Sequence, residues 1–183
     1  MRGNWTGLLG VALAALLLAP SPARAQMGWP DHTPYLPTPD RVVEGMLALA
    51  NVGPADVVVD LGSGDGRIVI AAARRGARSL GIDIDSGWER IAKRNAEAAH
   101  VTERATFVTG DAFKADLREA TVVTLYLPPE ITTALRPKLE RELRPGTRIV
   151  SHDYLLGDWK PERTELVTAE NGKRHPIYLW IAR

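Results

Sequence analysis

The 183-residue chain contains no cysteine, which removes disulfides, thiolate metal ligands and a cysteine nucleophile together. That absence names no compartment, because an exported protein need not carry disulfides. An excess of charge is missing too. The 23 Lys and Arg residues stand against 22 Asp and Glu, so no overall basic field draws the chain to nucleic acid. Aromatic residues reach only 6% and are not interleaved with basic ones, as a groove for single strands requires. The basic set Arg136, Lys138, Arg141, Arg144 and Arg148 alternates with Glu140 and Glu142 and reads as a solvated helix face. His32, His100 and His175 lack metal-ligand spacing and read as surface, so no metal site is expected. Internal repeats and low-complexity tracts are absent.

What is present concentrates in one stretch. Val57-Val58-Val59-Asp60 reads as a buried strand closed by an acid, and Gly62, Gly64 and Gly66 open the next element. Glycines at alternate positions permit left-handed backbone and close approach of a ligand. Apolar residues in helical spacing follow from Arg67, so the loop sits between strand and helix, the ligand-binding corner of a doubly wound sheet. A dinucleotide fingerprint is not met. The spacing is G-x-G-x-G, and Arg67 stands where a third glycine would open the helix to pyrophosphate. Asp60 suits an ammonium and would repel a pyrophosphate. Asp83 closes a second apolar run, 21 residues beyond Gly62, where an acid accepts from a ribose diol. Together these point to S-adenosylmethionine.

Patterning predicts strands near 56–60, 79–84, 105–109, 121–127 and 147–152, and helices at 66–75, 87–100 and 130–142. An earlier helix begins at Asp40 as its cap, and Gly53-Pro54 ends it. Two further strand-like runs, 164–168 and 177–181, flank Asn171-Gly172 and should pair as a hairpin. The expected fold is α/β: a single Rossmann-like, doubly wound, seven-stranded sheet, mainly parallel, with a C-terminal antiparallel hairpin.

Residues 1–25 form a distinct segment. Arg2 precedes an apolar run from Leu8 to Ala19, and Ala23-Arg24-Ala25 offers a small-residue cleavage site. The run is shorter than the ~20 residues of a membrane span. It reads as a signal peptide, which makes the protein exported or periplasmic; an uncleaved N-terminal anchor is the alternative, and then the only membrane contact. Export conflicts with a donor made in the cytoplasm. Residues 26–38 read as a proline-rich extended arm and 39–183 as the domain.

With these motifs in place, the chain resembles the class I (seven-stranded) S-adenosylmethionine-dependent methyltransferases. Within them it is similar to the group of the ATP synthase c-subunit lysine methyltransferase and its bacterial relatives. The closer likeness rests on Tyr35-Leu36-Pro37-Thr38-Pro39, Asp60 to Arg67, Leu125-Tyr126-Leu127-Pro128-Pro129-Glu130, and Ser151-His152-Asp153-Tyr154 with Gly157-Asp158-Trp159. The resemblance implies that Asp60, Gly62 and Gly64 surround the donor's methionine portion. It gives the ribose to Asp83, the adenine to Asp111 and Ala112, and the border of the transferring methyl to the stretch from Tyr126 to Glu130. It also implies a protein substrate presenting a lysine, possible in a membrane-associated partner. Leu127-Pro128-Pro129-Glu130 departs from the Asn/Asp-Pro-Pro-Tyr of enzymes acting on planar nitrogens.

A lysine must lose its proton to react, and its ordinary pKa is about 10.4. Tyr126 and Tyr35 are candidates to exclude water, and Glu130, His152 and Asp153 are candidate proton acceptors. No insertion after the fourth or fifth strand offers a lid, so an open cleft for a protruding side chain is expected. A small-molecule methyltransferase and an exported, non-catalytic nucleoside-binding protein stay open as alternatives.

Overall fold

The computed structural model describes residues 36–183; the expected signal peptide, most of the arm, Tyr35 and His32 lie outside them. In chain order the elements are α1 (Asp40–Leu49), β1 (Val57–Leu61), α2 (Arg67–Arg74), β2 (Arg78–Asp83), α3 (Ser86–Ala98) and β3 (Ala105–Thr109). A short 3-10 turn at Ala112–Lys114 leads to β4 (Val122–Leu125), α4 (Pro129–Glu142), β5 (Arg148–His152), β6 (Arg163–Thr168) and β7 (Arg174–Ile181).

The seven strands form one sheet in the order β3-β2-β1-β4-β5-β7-β6. The first five pair in parallel, while β7 runs antiparallel to both β5 and β6. Period-2 alternation explains why both faces are covered. Val58, Val122, Val150 and Leu179 pack with α1 and α2, while their neighbours Val59, Val123, Ile149 and Trp180 join Leu135 and Leu139 of α4. Central β4 is buried along its whole length. In β6 the alternation leaves every second residue exposed, as an edge strand requires.

Two boundaries differ from the sequence reading. Pro39 occupies the N-cap of α1 and Asp40 is its first residue, reaching Arg67 at 3.6 Å instead of capping. The helix ends before Gly53-Pro54, because Asn51 adopts φ +51° and the Val52 N–H returns to the Leu47 carbonyl at 2.9 Å. The basic set is not one solvated face either. Lys138 is buried beside Glu142, and Arg148 lies in β5, where its guanidinium donates to the Ala50 carbonyl and pairs with Asp56. That cation covers the carbonyl end of α1, a favourable position for positive charge.

Candidate active site

Asp60, Asp83 and Gly110-Asp111 stand at the carboxyl ends of β1, β2 and β3, so parallel pairing alone gathers them on one edge of the sheet. The glycine loop crosses this edge with φ of +80° at Gly62, +49° at Gly64 and +83° at Gly66, values L side chains adopt only under strain. Its amides are already committed within the protein. Gly62 and Ser63 donate to the Ile82 carbonyl, Gly64 to the Asp83 carboxylate and Gly66 to the Ser63 carbonyl, at 2.8–3.0 Å. These four N–H groups cannot cradle a pyrophosphate, which removes the physical basis of a dinucleotide site.

The acids carry distinct burdens. Asp60 is 2% exposed and accepts from the Thr124 hydroxyl at 2.7 Å. Burial pushes its carboxyl up to about 7, against the Thr124 hydrogen bond, with the charges of Asp83 and Asp65 adding to the rise. A cationic group brought beside Asp60 would relieve that penalty. Asp83 is half-buried and braces the structure, accepting from Gly64 N–H at 2.8 Å and Asp85 N–H at 3.0 Å. Each carboxylate oxygen keeps a second acceptor direction for a ribose hydroxyl. Asp111 caps the 3-10 turn by accepting from Phe113 N–H at 2.9 Å, with Ala112 half-buried next to it.

The other half of the edge is assembled from distant sequence. A Cβ on Gly62 would meet Leu127 Cδ2 at 2.5 Å, so the stretch after β4 lies directly over the donor loop. Tyr126, half-buried, packs on the His152 ring with centroids 3.9 Å apart, and Tyr154 stacks 6.0 Å from Tyr126 at 13° between planes. The phenol of Tyr126 is held above its ordinary pKa by burial and by the Asp153 charge. It therefore stays protonated at neutral pH.

His152 is fully buried. Its Nδ1 meets the Thr38 hydroxyl at 3.2 Å and its Nε2 meets His175 Nδ1 at 2.9 Å. Burial depresses its pKa to about 4, with Asp153 opposing and His175 adding to the depression. Both ring nitrogens being engaged, His152 positions its neighbours and Asp153 is the outlet toward solvent, its side chain 20% exposed. Glu130 is exposed in the first turn of α4, and no ion pair ties it to this cluster.

One expectation is overturned. His175 is not a surface residue; it is 5% exposed and lies 3.2 Å from both Asp153 oxygens. The physical reason is register. His152 pairs with Ile177 across β5 and β7, and His175 shares the buried face of Ile177 and Leu179 two residues away. Its spacing from the buried Ile177 was the available signal. His152, Asp153 and His175 thereby bring potential ligand atoms within 4.8 Å of one another. Thr38, assigned to the arm, is also part of the site. It is 3% exposed, and its carbonyl accepts from Arg67 Nη1 at 2.8 Å while its hydroxyl meets His152. Arg67, in place of a third glycine, is held by Asp65 at 2.6 Å.

Residues 60–163, more than half of the chain, match the family described as ANTKMT methyltransferase domain. A protein-lysine N-methyltransferase of Saccharolobus islandicus is 44% identical over 158 residues, covering 85% of this chain and 97% of that protein. The adenine nucleotide translocase lysine N-methyltransferase of Mus musculus is 35% identical over 85% of this chain and 67% of its own. A solved structure described as an RNA methyltransferase from Salinibacter ruber, in complex with S-adenosyl-L-homocysteine, superposes with a TM-score of 0.74. It is 50% identical and is covered over 93% of its chain, against 80% of this one.

Proposed function

The chain belongs to the ANTKMT methyltransferase-domain family, and from that premise we propose that it transfers a methyl group from S-adenosylmethionine to a lysine amine on a protein. The observation that carries this reading is the acceptor half of the edge. A mostly buried carboxylate, Asp153, stands beside two near-parallel tyrosines and against a buried histidine pair. A lysine amine laid alongside the Tyr126–Tyr154 pair leaves bulk water and meets a proton acceptor at the strand end.

S-adenosylmethionine supplies a methyl carried on a sulfonium sulfur. Asp60 faces its ammonium, Gly62 and Gly64 run along its chain, Asp83 takes the ribose hydroxyls, and Asp111 with Ala112 borders the adenine. On the acceptor side Asp153 removes the amine proton, His175 and His152 hold Asp153 in place, and Tyr126 excludes water. The neutral amine then forms its bond to carbon as the carbon–sulfur bond breaks. Orientation alone contributes roughly 7–11 kcal/mol to such a displacement. Glu130, at the rim, meets the substrate rather than the reacting atoms.

The partner in this reading is a protein with an accessible lysine, in or at a membrane. Residues 8–19 hold the enzyme at that membrane when retained as an anchor, and direct it across one when cleaved as an export signal. Among the described residues, no helix is long and apolar enough to cross a membrane. An RNA acceptor, named for the Salinibacter ruber protein, is disfavoured by the near-balanced charge of 23 basic against 22 acidic residues. The deciding experiment supplies labelled donor with membrane proteins, soluble proteins and RNA in parallel. Label recovered as methyl-lysine supports the proposal, whereas label confined to RNA or to small molecules refutes it.

A further inference from the structure

His152 Nε2, His175 Nδ1 and Asp153 Oδ2 form a triangle with edges of 2.9, 3.2 and 3.4 Å. Atoms about 2.0–2.2 Å from one ion stand about 3.0 Å apart at octahedral cis positions and about 3.4 Å apart at tetrahedral ones. All three edges lie within or next to that interval. A single ion therefore reaches all three atoms on one face.

The proton count gives an independent reason. If His152 Nδ1–H donates to Thr38, its Nε2 is a bare acceptor, and one proton on His175 Nδ1 must serve both that nitrogen and the Asp153 carboxylate. If His152 donates through Nε2 instead, the His175 Nδ1 lone pair confronts the carboxylate. His175 Nε2–H is then buried with no acceptor. With both histidines neutral, three acceptor-capable atoms converge with too few protons between them. A cation satisfies those three atoms, and His175 Nε2–H stays a buried donor without an acceptor, as in the second arrangement.

The supporting geometry is built in. Asp153 holds φ +60°, costly for a residue with a Cβ, and its N–H is tied to the Pro176 carbonyl at 2.9 Å. Thr38 orients the far nitrogen of His152, as outer partners of metal-bound imidazoles do. The 20% exposure of Asp153 leaves a way in.

We propose that His152, Asp153 and His175 form a facial binding site for a divalent first-row transition cation. Two imidazoles and one carboxylate, without sulfur, suit zinc, iron(II) or cobalt(II) over calcium or magnesium, which prefer oxygen alone. On the acceptor role proposed above, ion and amine proton compete for Asp153, so occupancy slows methyl transfer.

The test adds cobalt(II), then competing zinc, to the metal-free full-length chain and follows visible absorption and bound-metal stoichiometry. One equivalent is expected, with affinity falling at least tenfold in both His175→Asn and Asp153→Asn and unchanged in His100→Asn, whose histidine is exposed. Circular dichroism checks each variant's fold, and Thr38→Val, which leaves the ligands in place, should weaken binding by a smaller factor. Absence of saturable binding to the parent chain overturns the site, and so does full-strength binding by folded Asp153→Asn. These readouts involve no methyl transfer, so their failure leaves the acceptor reading standing.

Discussion

The donor and acceptor halves of the sheet edge respond to pH in opposite directions. On the donor side, burial raises the Asp60 carboxyl from 3.8 to about 7. Its contribution to folding is present below the unfolded value and is lost as pH rises through the folded one. On the acceptor side, burial lowers His152 from 6.5 to about 4. That contribution is present above 6.5 and is lost as pH falls toward 4. The contrast teaches that the same force, desolvation, favours the protonated form of a buried acid on the donor side and the unprotonated form of a buried histidine on the acceptor side.

The sharpest way to break this division is Asp153→Asn. Turnover should fall by about 10²–10⁴-fold, the range for losing a positioned proton acceptor, while donor affinity measured by calorimetry stays constant. An equal loss of donor affinity would dissolve the distinction between halves. Asp60→Asn should do the converse, weakening donor binding by about 10–100-fold, the value of a charge-assisted hydrogen bond of roughly 1.5–3 kcal/mol.

Next in size comes the pH response of the donor-free protein. Because the Asp60 and His152 windows overlap with opposite signs, thermal melts of the parent should change little between pH 4 and pH 7. Asp60→Asn should expose a rise in stability over this range through His152, and His152→Gln a decline through Asp60, each of a few kcal/mol at about 1.4 kcal/mol per pKa unit. Parallel curves for parent and Asp60→Asn would refute the raised carboxyl. Gly62→Ala should cost about 1–3 kcal/mol, because it combines φ +80° with a contact at 2.5 Å to Leu127 Cδ2. Its unfolding midpoint in urea reads the effect. The smallest change belongs to Thr38→Val, about 1 kcal/mol for one hydrogen bond; a midpoint identical to the parent would show that Thr38 does not hold His152.

The two halves were not equally legible. Asp60 to Arg67 is one contiguous stretch, and Asp83 and Asp111 close the next two strands, so spacing and period-2 burial suffice to bring them together. Even there the chain shows more than the motif: Asp83 holds the loop through Gly64, and the loop amides face inward. On the acceptor side Tyr126, His152 and Asp153 could be placed at strand ends, because those strands follow the same alternation. Their environment could not. Nothing local indicates that β7 inserts between β5 and β6, and that insertion carries His175 to Asp153. Thr38 was hidden for a similar reason, since a proline-flanked threonine before a helix reads as linker.

The sequence by itself determined the seven-stranded α/β architecture, the terminal hairpin and the donor loop. Each depends on periodicity, on turn chemistry or on residues close along the chain. Only the tertiary structure decided that His152 is buried behind Asp153, that His175 joins them, and that Arg67 and Thr38 link the glycine loop to the far strand. Those contacts cross 22 to 114 residues of chain, and no local preference encodes a partner at that distance. Strand order and register set them, through the burial of two sheet faces at once.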